Sequence, residues 1–212
     1  MPGSNVELLQ TMRSGEDGFA GYWIFGEPGS GRSHLLRGCC HAAQQDDISN
    51  NYIGCEDHAY HPQGLAEALS HAGYFGQLVA IDDISMVIGD LASEALLMTV
   101  YQRLHSEAGR LIITHSKPAN TLEFATPDLA SRMRSLQHFQ MSPLSDADKM
   151  QLLRGRAENR GFELSQSVLD YWLTRGPRDL GALLIDLETL SSASLAQHKR
   201  VTIPLIKQVL GY

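Results

Sequence analysis

The segment Gly26-Glu27-Pro28-Gly29-Ser30-Gly31-Arg32-Ser33-His34 follows a short aromatic and β-branched run, Tyr22-Trp23-Ile24-Phe25. It leads into Ser33-His34-Leu35-Leu36-Arg37-Gly38-Cys39-Cys40-His41-Ala42-Ala43, whose apolar residues have helical spacing. Strand, glycine-rich turn and helix in that order form a phosphate-binding loop. The glycines permit a tight turn, the free backbone N–H groups surround phosphate oxygens, and the helix adds its positive end. Gly26, Pro28, Gly29, Ser30, Gly31, Arg32, Ser33 and His34 are therefore candidate nucleotide-binding residues, and the Ser33 hydroxyl is a candidate magnesium ligand. Arg32 stands where this pattern places lysine. A planar, permanently charged guanidinium does not replace a compact ammonium conservatively, so nucleotide binding is expected to survive the change better than turnover. Gly-Ser-Gly also makes ordinary turns, and it is the flanking strand and helix that favour the phosphate reading.

A chain of 212 residues with 43% hydrophobic content is long enough for one α/β domain and a smaller appendage. No segment has the apolar length of a membrane span, and Met1-Pro2-Gly3-Ser4-Asn5 lacks a basic-then-apolar leader pattern, so a cytoplasmic location is expected. Cys39, Cys40 and Cys55 form neither an even disulfide set nor a metal-ligand spacing, which fits a reduced compartment. The formal net charge of −7 opposes the long-range attraction a duplex-binding protein exploits, so strong direct DNA binding is not expected. Arg132, Arg134, Lys149, Arg154, Arg156 and Arg160 are interspersed with acids and read as solvated helix faces.

Short apolar runs at Asn51–Gly54, Gln77–Ile81 and Arg110–Thr114 alternate with amphipathic stretches such as Ala92–Leu104, and Leu136–Met141 reads as a further strand. This alternation predicts a parallel sheet flanked by helices. After Pro143 the pattern turns helical, beginning at Ser145-Asp146-Ala147-Asp148 with a capping residue and an acidic first turn. A boundary is expected there, with an α/β domain over 1–142 and a small helical domain over 143–212. Gly161, Gly176-Pro177 and the polar stretch around His198-Lys199-Arg200 separate its helices.

Leu78-Val79-Ala80-Ile81 ends in Asp82 and Asp83. Behind a phosphate loop, such a pair can hold magnesium through Asp82 and orient an attacking water through Asp83, though Asp-Asp also ends strands and caps turns. Thr114-His115-Ser116 places polar side chains where a γ-phosphate sensor would sit, or simply ends a strand. Pro127-Asp128-Leu129-Ala130-Ser131-Arg132 is a short helical turn ending in arginine, and Gly176-Pro177-Arg178-Asp179-Leu180 starts another helix. Cys55, His58 and His61 lack a fourth ligand at metal spacing, and Trp23 and Trp172 lie in apolar surroundings that suit a core.

In this order the segments resemble the AAA+ ATPase family, in particular the branch that contains the bacterial replication initiator DnaA and its Hda-like homologues. The resemblance rests on GRSHLL at Gly31–Leu36, PDLASR at Pro127–Arg132, PLSDADK at Pro143–Lys149, RGFEL at Arg160–Leu164 and TIP at Thr202–Pro204, and covers nearly the whole chain. It implies a P-loop AAA+ domain with a five-stranded parallel sheet in an αβα sandwich, followed by a small helical lid. By position, Asp82 and Asp83 match the Walker B pair, Ser116 or its neighbours match sensor 1, Arg132 matches the arginine finger, and Arg178 matches sensor 2. The P-loop arginine is itself a feature of this branch.

The resemblance further implies ADP or another nucleoside diphosphate with Mg2+, ATP being possible, and DnaA as partner. On this reading Arg132 acts in trans on ATP held by DnaA, so that the initiator is inactivated and re-initiation limited. The DNA polymerase sliding clamp is implied for the family only. Its Gln/Leu-rich docking peptide is not expected among these residues if the chain starts inside the family pattern, and residues ending at Tyr212 are not expected to act as the initiator, which continues beyond its lid into a helix-turn-helix domain. Homo-oligomers are compatible with the pattern. The competing readings are an autonomous ATPase, which the two carboxylates permit and Arg32 opposes, and a loader acting on single-stranded DNA, which the net charge opposes.

Overall fold

The computed structural model describes residues 8, 11–12, 18–58, 62–197 and 200–212. The opening segment Met1–Asn5, His61 and the pair His198–Lys199 lie outside the described residues, as does the side chain of His58. The chain divides into two compact units, Ser4–Pro143 and Leu144–Tyr212.

In the first unit, strands β1 (Ala20–Phe25), β2 (Asn50–Gly54), β3 (Leu78–Asp82), β4 (Arg110–His115) and β5 (Gln137–Gln140) alternate with helices. These are α1 (Arg32–Gln45), α2 (Pro62–Ala72), α3 (Leu91–Ser106) and α4 (Pro127–Ser135). The strands form one parallel sheet in the order β2-β3-β4-β1-β5. Parallel neighbours require crossovers, and helical crossovers cover both faces, so the inner strands β1, β3 and β4 are apolar on both sides, while the edge strands β2 and β5 are more polar.

Period-2 alternation sorts the strand residues between two cores. Trp23, Val79, Ile81, Leu111 and Ile113 face a cluster completed by Leu65 and Leu69 of α2, Leu97, Val100 and Leu104 of α3, and Leu129 and Met133 of α4. Tyr22, Ile24, Leu78, Ala80 and Ile112 face the other cluster, with Leu35, Leu36, Cys40 and Ala43 of α1. Asp82 follows Leu78 and Ala80 at even spacing, and Thr114 follows Ile112, so both belong to the face that α1 covers. The register puts Ile81 beside Ile113, which brings Asp82 level with Thr114 at the carboxyl edge.

The second unit consists of α5 (Asp146–Glu158), α6 (Gln166–Arg175), α7 (Leu180–Gln197) and α8 (Ile203–Leu210). Each start reads from a local cap. Ser145 and Asp148 close a capping box on α5, Ser165 caps α6, and Thr202 caps α8 ahead of Pro204. The unit's core packs Leu153, Leu169, Leu183, Leu187, Leu190 and Ile206 around a fully buried Trp172. Trp172→Ala is expected to cost about 3–5 kcal/mol, read as a lower denaturation midpoint by circular dichroism. A midpoint equal to wild type would contradict this packing.

Candidate nucleotide site

The loop between β1 and α1 is anchored at its root by the strands around it. Gly26 N–H donates to His115 O at the end of β4, and Met141 N–H donates to Phe25 O. A Cβ on Gly26 would lie 2.3 Å from the Met141 carbonyl oxygen, so this position tolerates no side chain. Gly29 and Gly31 adopt φ of 79° and 93°, the left-handed region where glycine is at home. Ser30 N–H closes the turn onto Glu27 O at 3.1 Å.

Helix α1 begins at Arg32 with no side-chain cap on Gly31 and no acidic residue in its first turn. Its first N–H groups and positive dipole end are therefore unneutralised from within the helix. Two buried polar atoms stand beside this opening without a hydrogen-bond partner among the described residues: Ser30 Oγ and Arg32 Nη1. Buried donors are seldom left unsatisfied in a native fold. Helix N–H groups, a hydroxyl and a guanidinium nitrogen form a donor set that fits an anion such as a nucleotide phosphate. Pro28, Gly29, Ser33 and His34 are exposed along the same loop and helix start.

At the sheet edge Asp82 is buried and held from both sides. Thr114 Oγ1 donates to its Oδ1 at 2.7 Å, Tyr52 Oη donates to its Oδ2 at 2.8 Å, and Asp83 N–H donates to Thr114 Oγ1 at 2.9 Å. Arg37, one turn beyond Ser33 on α1, donates through Nε to Tyr52 Oη at 3.2 Å. Its guanidinium also lies 5.0 Å from the centre of the Tyr52 ring. Burial, then the bond to Asp82, push the Tyr52 phenol up to about 12, so it remains a donor throughout the working range. Each Asp82 oxygen keeps a lone pair, which suits holding a hydrated metal ion rather than stripping it.

Asp83 is turned differently. Its backbone is left-handed, with φ of 53°, and its carboxylate accepts from both the N–H and the hydroxyl of Ser85, capping the short turn Ile84–Met86. Asp83 thus caps the following turn, while Asp82 points into the α1 face. Ser116 is exposed beyond the end of β4, and its neighbour Thr114 is the residue that reaches Asp82.

Arg132 lies near the end of α4 with half its side chain exposed, 3.6 Å from Asp128 and with its guanidinium 5.8 Å from the centre of the Tyr101 ring. In the second unit, Arg178 sits in the bend ahead of α7, rather than inside the helix, and is 73% exposed. Its Nη1 is 3.2 Å from Asp146, while Lys149 Nζ donates to its carbonyl. Cys39, Cys40 and Cys55 are free thiols. Burial pushes the Cys55 thiol up to about 12, which removes it as a nucleophile. No metal-holding group of His, Cys, Asp and Glu is formed among the described residues. No helix among them is long and apolar enough to cross a membrane.

Residues 146–210 match the family model described as the Hda lid domain. Domain III of the Thermotoga maritima replication initiation protein DnaA superposes with a TM-score of 0.80 at 18% identity, covering 100% of this chain and 92% of that one. The chain thus has the fold of DnaA domain III, and its residues 146–210 are similar to the lid domain of the Hda family. DnaA from Aquifex aeolicus, solved with AMPPCP bound, superposes with a TM-score of 0.70 at 16% identity over 89% of this chain and 62% of that one. The Holliday junction branch migration motor RuvB of Thermotoga maritima gives 0.65 at 14% over 98% and 66%. The chain therefore spans less than two thirds of the length of these two longer relatives.

Several side chains at this candidate site escape sequence reading. Tyr52 looks like an ordinary strand residue, and Arg37 like a solvated helix position. What could have flagged them is geometry built from the sequence: Arg37 is at i+4 from Ser33, on the same helix face, and Tyr52 shares the α1 side of the sheet with Asp82. His115 belongs to the Thr114-His115-Ser116 segment expected near a γ-phosphate sensor, and its burial is not visible in the sequence. It is buried against Trp23, with ring centres 6.2 Å apart, and its Nδ1 accepts from Lys117 N–H at 2.8 Å.

Burial holds the His115 imidazole below its ordinary 6.5. The Lys117 backbone and the Asp83 carboxylate oppose that shift, and the Arg32 guanidinium adds to it. Because the folded form binds its proton less readily than the unfolded one, the stabilisation is complete above pH 6.5 and is lost as the pH falls through the lower folded value. Wild type should therefore lose more stability than His115→Gln between about pH 7.5 and about pH 5, measured by denaturant midpoints. Parallel losses in the two proteins would contradict the assignment.

Proposed function

We propose that this chain is a DnaA-related regulator of replication initiation that binds nucleotide, preferentially ADP, and promotes hydrolysis of ATP held by DnaA. Gly26, Pro28, Gly29, Ser30, Gly31, Arg32, Ser33 and His34 take the phosphates, and Arg178 contributes as sensor 2. Ser33 and Asp82 are the residues that would hold Mg2+, which when bound neutralises phosphate charge. The sliding clamp is the further partner this reading implies, acting with the complex, while assembly of several copies of the chain remains compatible with it. Support comes from the Hda lid match, the DnaA-like fold and the AMPPCP bound by the Aquifex relative.

The observation that carries the trans role is the state of Arg132. Its guanidinium is half exposed, and the polar partner it has is an exposed carboxylate one turn away. Such pairs contribute about 0.3–0.5 kcal/mol, so the side chain can leave it for a neighbouring phosphate at little cost. The cis machinery is less favourable. Arg32 replaces the P-loop lysine, and Asp83, the residue that would orient water, spends its carboxylate on Ser85. These features support weak intrinsic ATPase activity at most. The autonomous-ATPase reading retains the buried Asp82 in its favour and requires Asp83 to release Ser85.

Arginine fingers contribute about 10³–10⁵ in rate in well-studied P-loop systems. Arg132→Ala is accordingly expected to leave nucleotide binding by this chain intact and to reduce hydrolysis of DnaA-bound ATP by orders of magnitude. The assay is single-turnover hydrolysis in a clamp-competent form, with association matched between variants. Equal rates for the two proteins would eliminate the trans role.

A further inference from the structure

Among the described residues of the first unit, one charged side chain has no access to solvent at all, that of Glu94 in the first turn of α3. Its Oε1 accepts the N–H groups of Gly89 and Ala125, each at 2.8 Å, and its Oε2 accepts the N–H of Thr126 at 2.8 Å. No cation pairs with it among the described residues. Burial alone would raise the carboxyl, but the donors of Gly89, Thr126 and Ala125 outweigh burial and hold it below its ordinary range. Its surroundings therefore consist of donors, which a carboxylate satisfies. A neutral amide would present its own NH2 to one of them.

The donors locate the purpose. Thr126 is the N-cap residue of α4, the helix that carries Arg132, and it makes no side-chain cap of its own. Glu94 supplies the anchor that this helix start lacks, and an anion there also suits the helix dipole. Seven residues, or two turns, further along α3 comes Tyr101, whose ring lies beneath the Arg132 guanidinium at 5.8 Å. The far end of the same loop is tied as well, since Arg134 Nη2 donates to Leu122 O at 3.4 Å. Helix α3 thus holds α4 at its origin and holds the guanidinium by its face.

We propose that Glu94 is a positioning residue for Arg132, setting the start of α4 so that the guanidinium is presented at a fixed place to the neighbour's phosphates. This rests on the trans role of Arg132 given above. Misplacing a charged group by about 1 Å can lower a rate about 100-fold, so an anchored helix start matters more for a finger than for a surface ion pair.

The test is a double-mutant cycle on single-turnover hydrolysis of ATP preloaded on DnaA, with sliding clamp on DNA, using Glu94→Gln, Arg132→Ala and the pair. Glu94→Gln is expected to slow hydrolysis about 10- to 100-fold, with ADP affinity and association with DnaA unchanged. In the Arg132→Ala background it should add nothing. Glu94→Asp, which keeps the buried charge but shortens its reach, serves where the glutamine variant does not fold, and should fall between wild type and Arg132→Ala.

Hydrogen exchange supplies a readout independent of activity. The amides of Ala125 and Thr126 should exchange faster in the variant while those of β1 and β4 do not. If Arg132→Ala slows hydrolysis and the Glu94 variants do not, or if the two effects multiply, the positioning role is overturned. If Arg132→Ala itself has no effect, the trans reading fails first and takes the positioning role with it.

Discussion

One buried carboxylate ties the carboxyl edge of the sheet together. Asp82, at the end of β3, is held by Thr114 from β4 and by Tyr52 from β2, and through Tyr52 it is linked to Arg37 on the phosphate-loop helix. Taking a carboxylate out of water costs several kcal/mol unless its oxygens are paired, so this edge is stable only while the strand ends keep their register. A slip of one residue would turn Asp82 to the opposite face and leave both hydroxyls without their acceptor. The candidate site is therefore a consequence of strand register, and the glycine loop stands beside it because β1 lies next to β4 in the same sheet.

The parallel sheet and its covering helices were legible from local patterns. The unbroken apolar runs Leu78–Ile81 and Leu111–Ile113 mark strands that bury both faces, and the caps at Ser145, Ser165 and Thr202 mark helix starts, since these signals act over a few residues. The arrangement around the site was less legible because it depends on contacts between distant positions. Thr114 and Asp82 are 32 residues apart, and Glu94 reaches donors 31 and 32 residues away. Glu94 reads from sequence as an acidic residue in a helix's first turn, a favourable surface position, and its burial becomes visible once α3 is packed against the loop before α4. The same distance effect divides the Asp82-Asp83 pair, whose members look equivalent in sequence and are oriented to different tasks by the left-handed backbone at Asp83.

Two arginines give the molecule its asymmetry. Arg32 brings a bulky cation to the glycine loop, where one of its nitrogens is buried without a partner among the described residues, a state suited to gripping an anion. Arg132 is half exposed on a helix whose origin is fixed by a buried carboxylate, a state suited to acting outside the chain. Retaining a nucleotide and assisting chemistry on another subunit place different demands on a P-loop fold, since the first rewards tight ground-state contacts and the second rewards a group that meets its target in the transition state. The proposed division of labour, with nucleotide held here and hydrolysed on the partner, follows from that contrast.

That division can be measured directly by following which subunit's nucleotide is hydrolysed. ATP labelled on the γ-phosphate is loaded on DnaA in one reaction and on this chain in another, and phosphate release is followed in a single turnover after the two proteins are combined. The account predicts rapid release when DnaA carries the label and slow release when this chain carries it. Rapid release of label carried by this chain, at the same rate with and without DnaA, would contradict it.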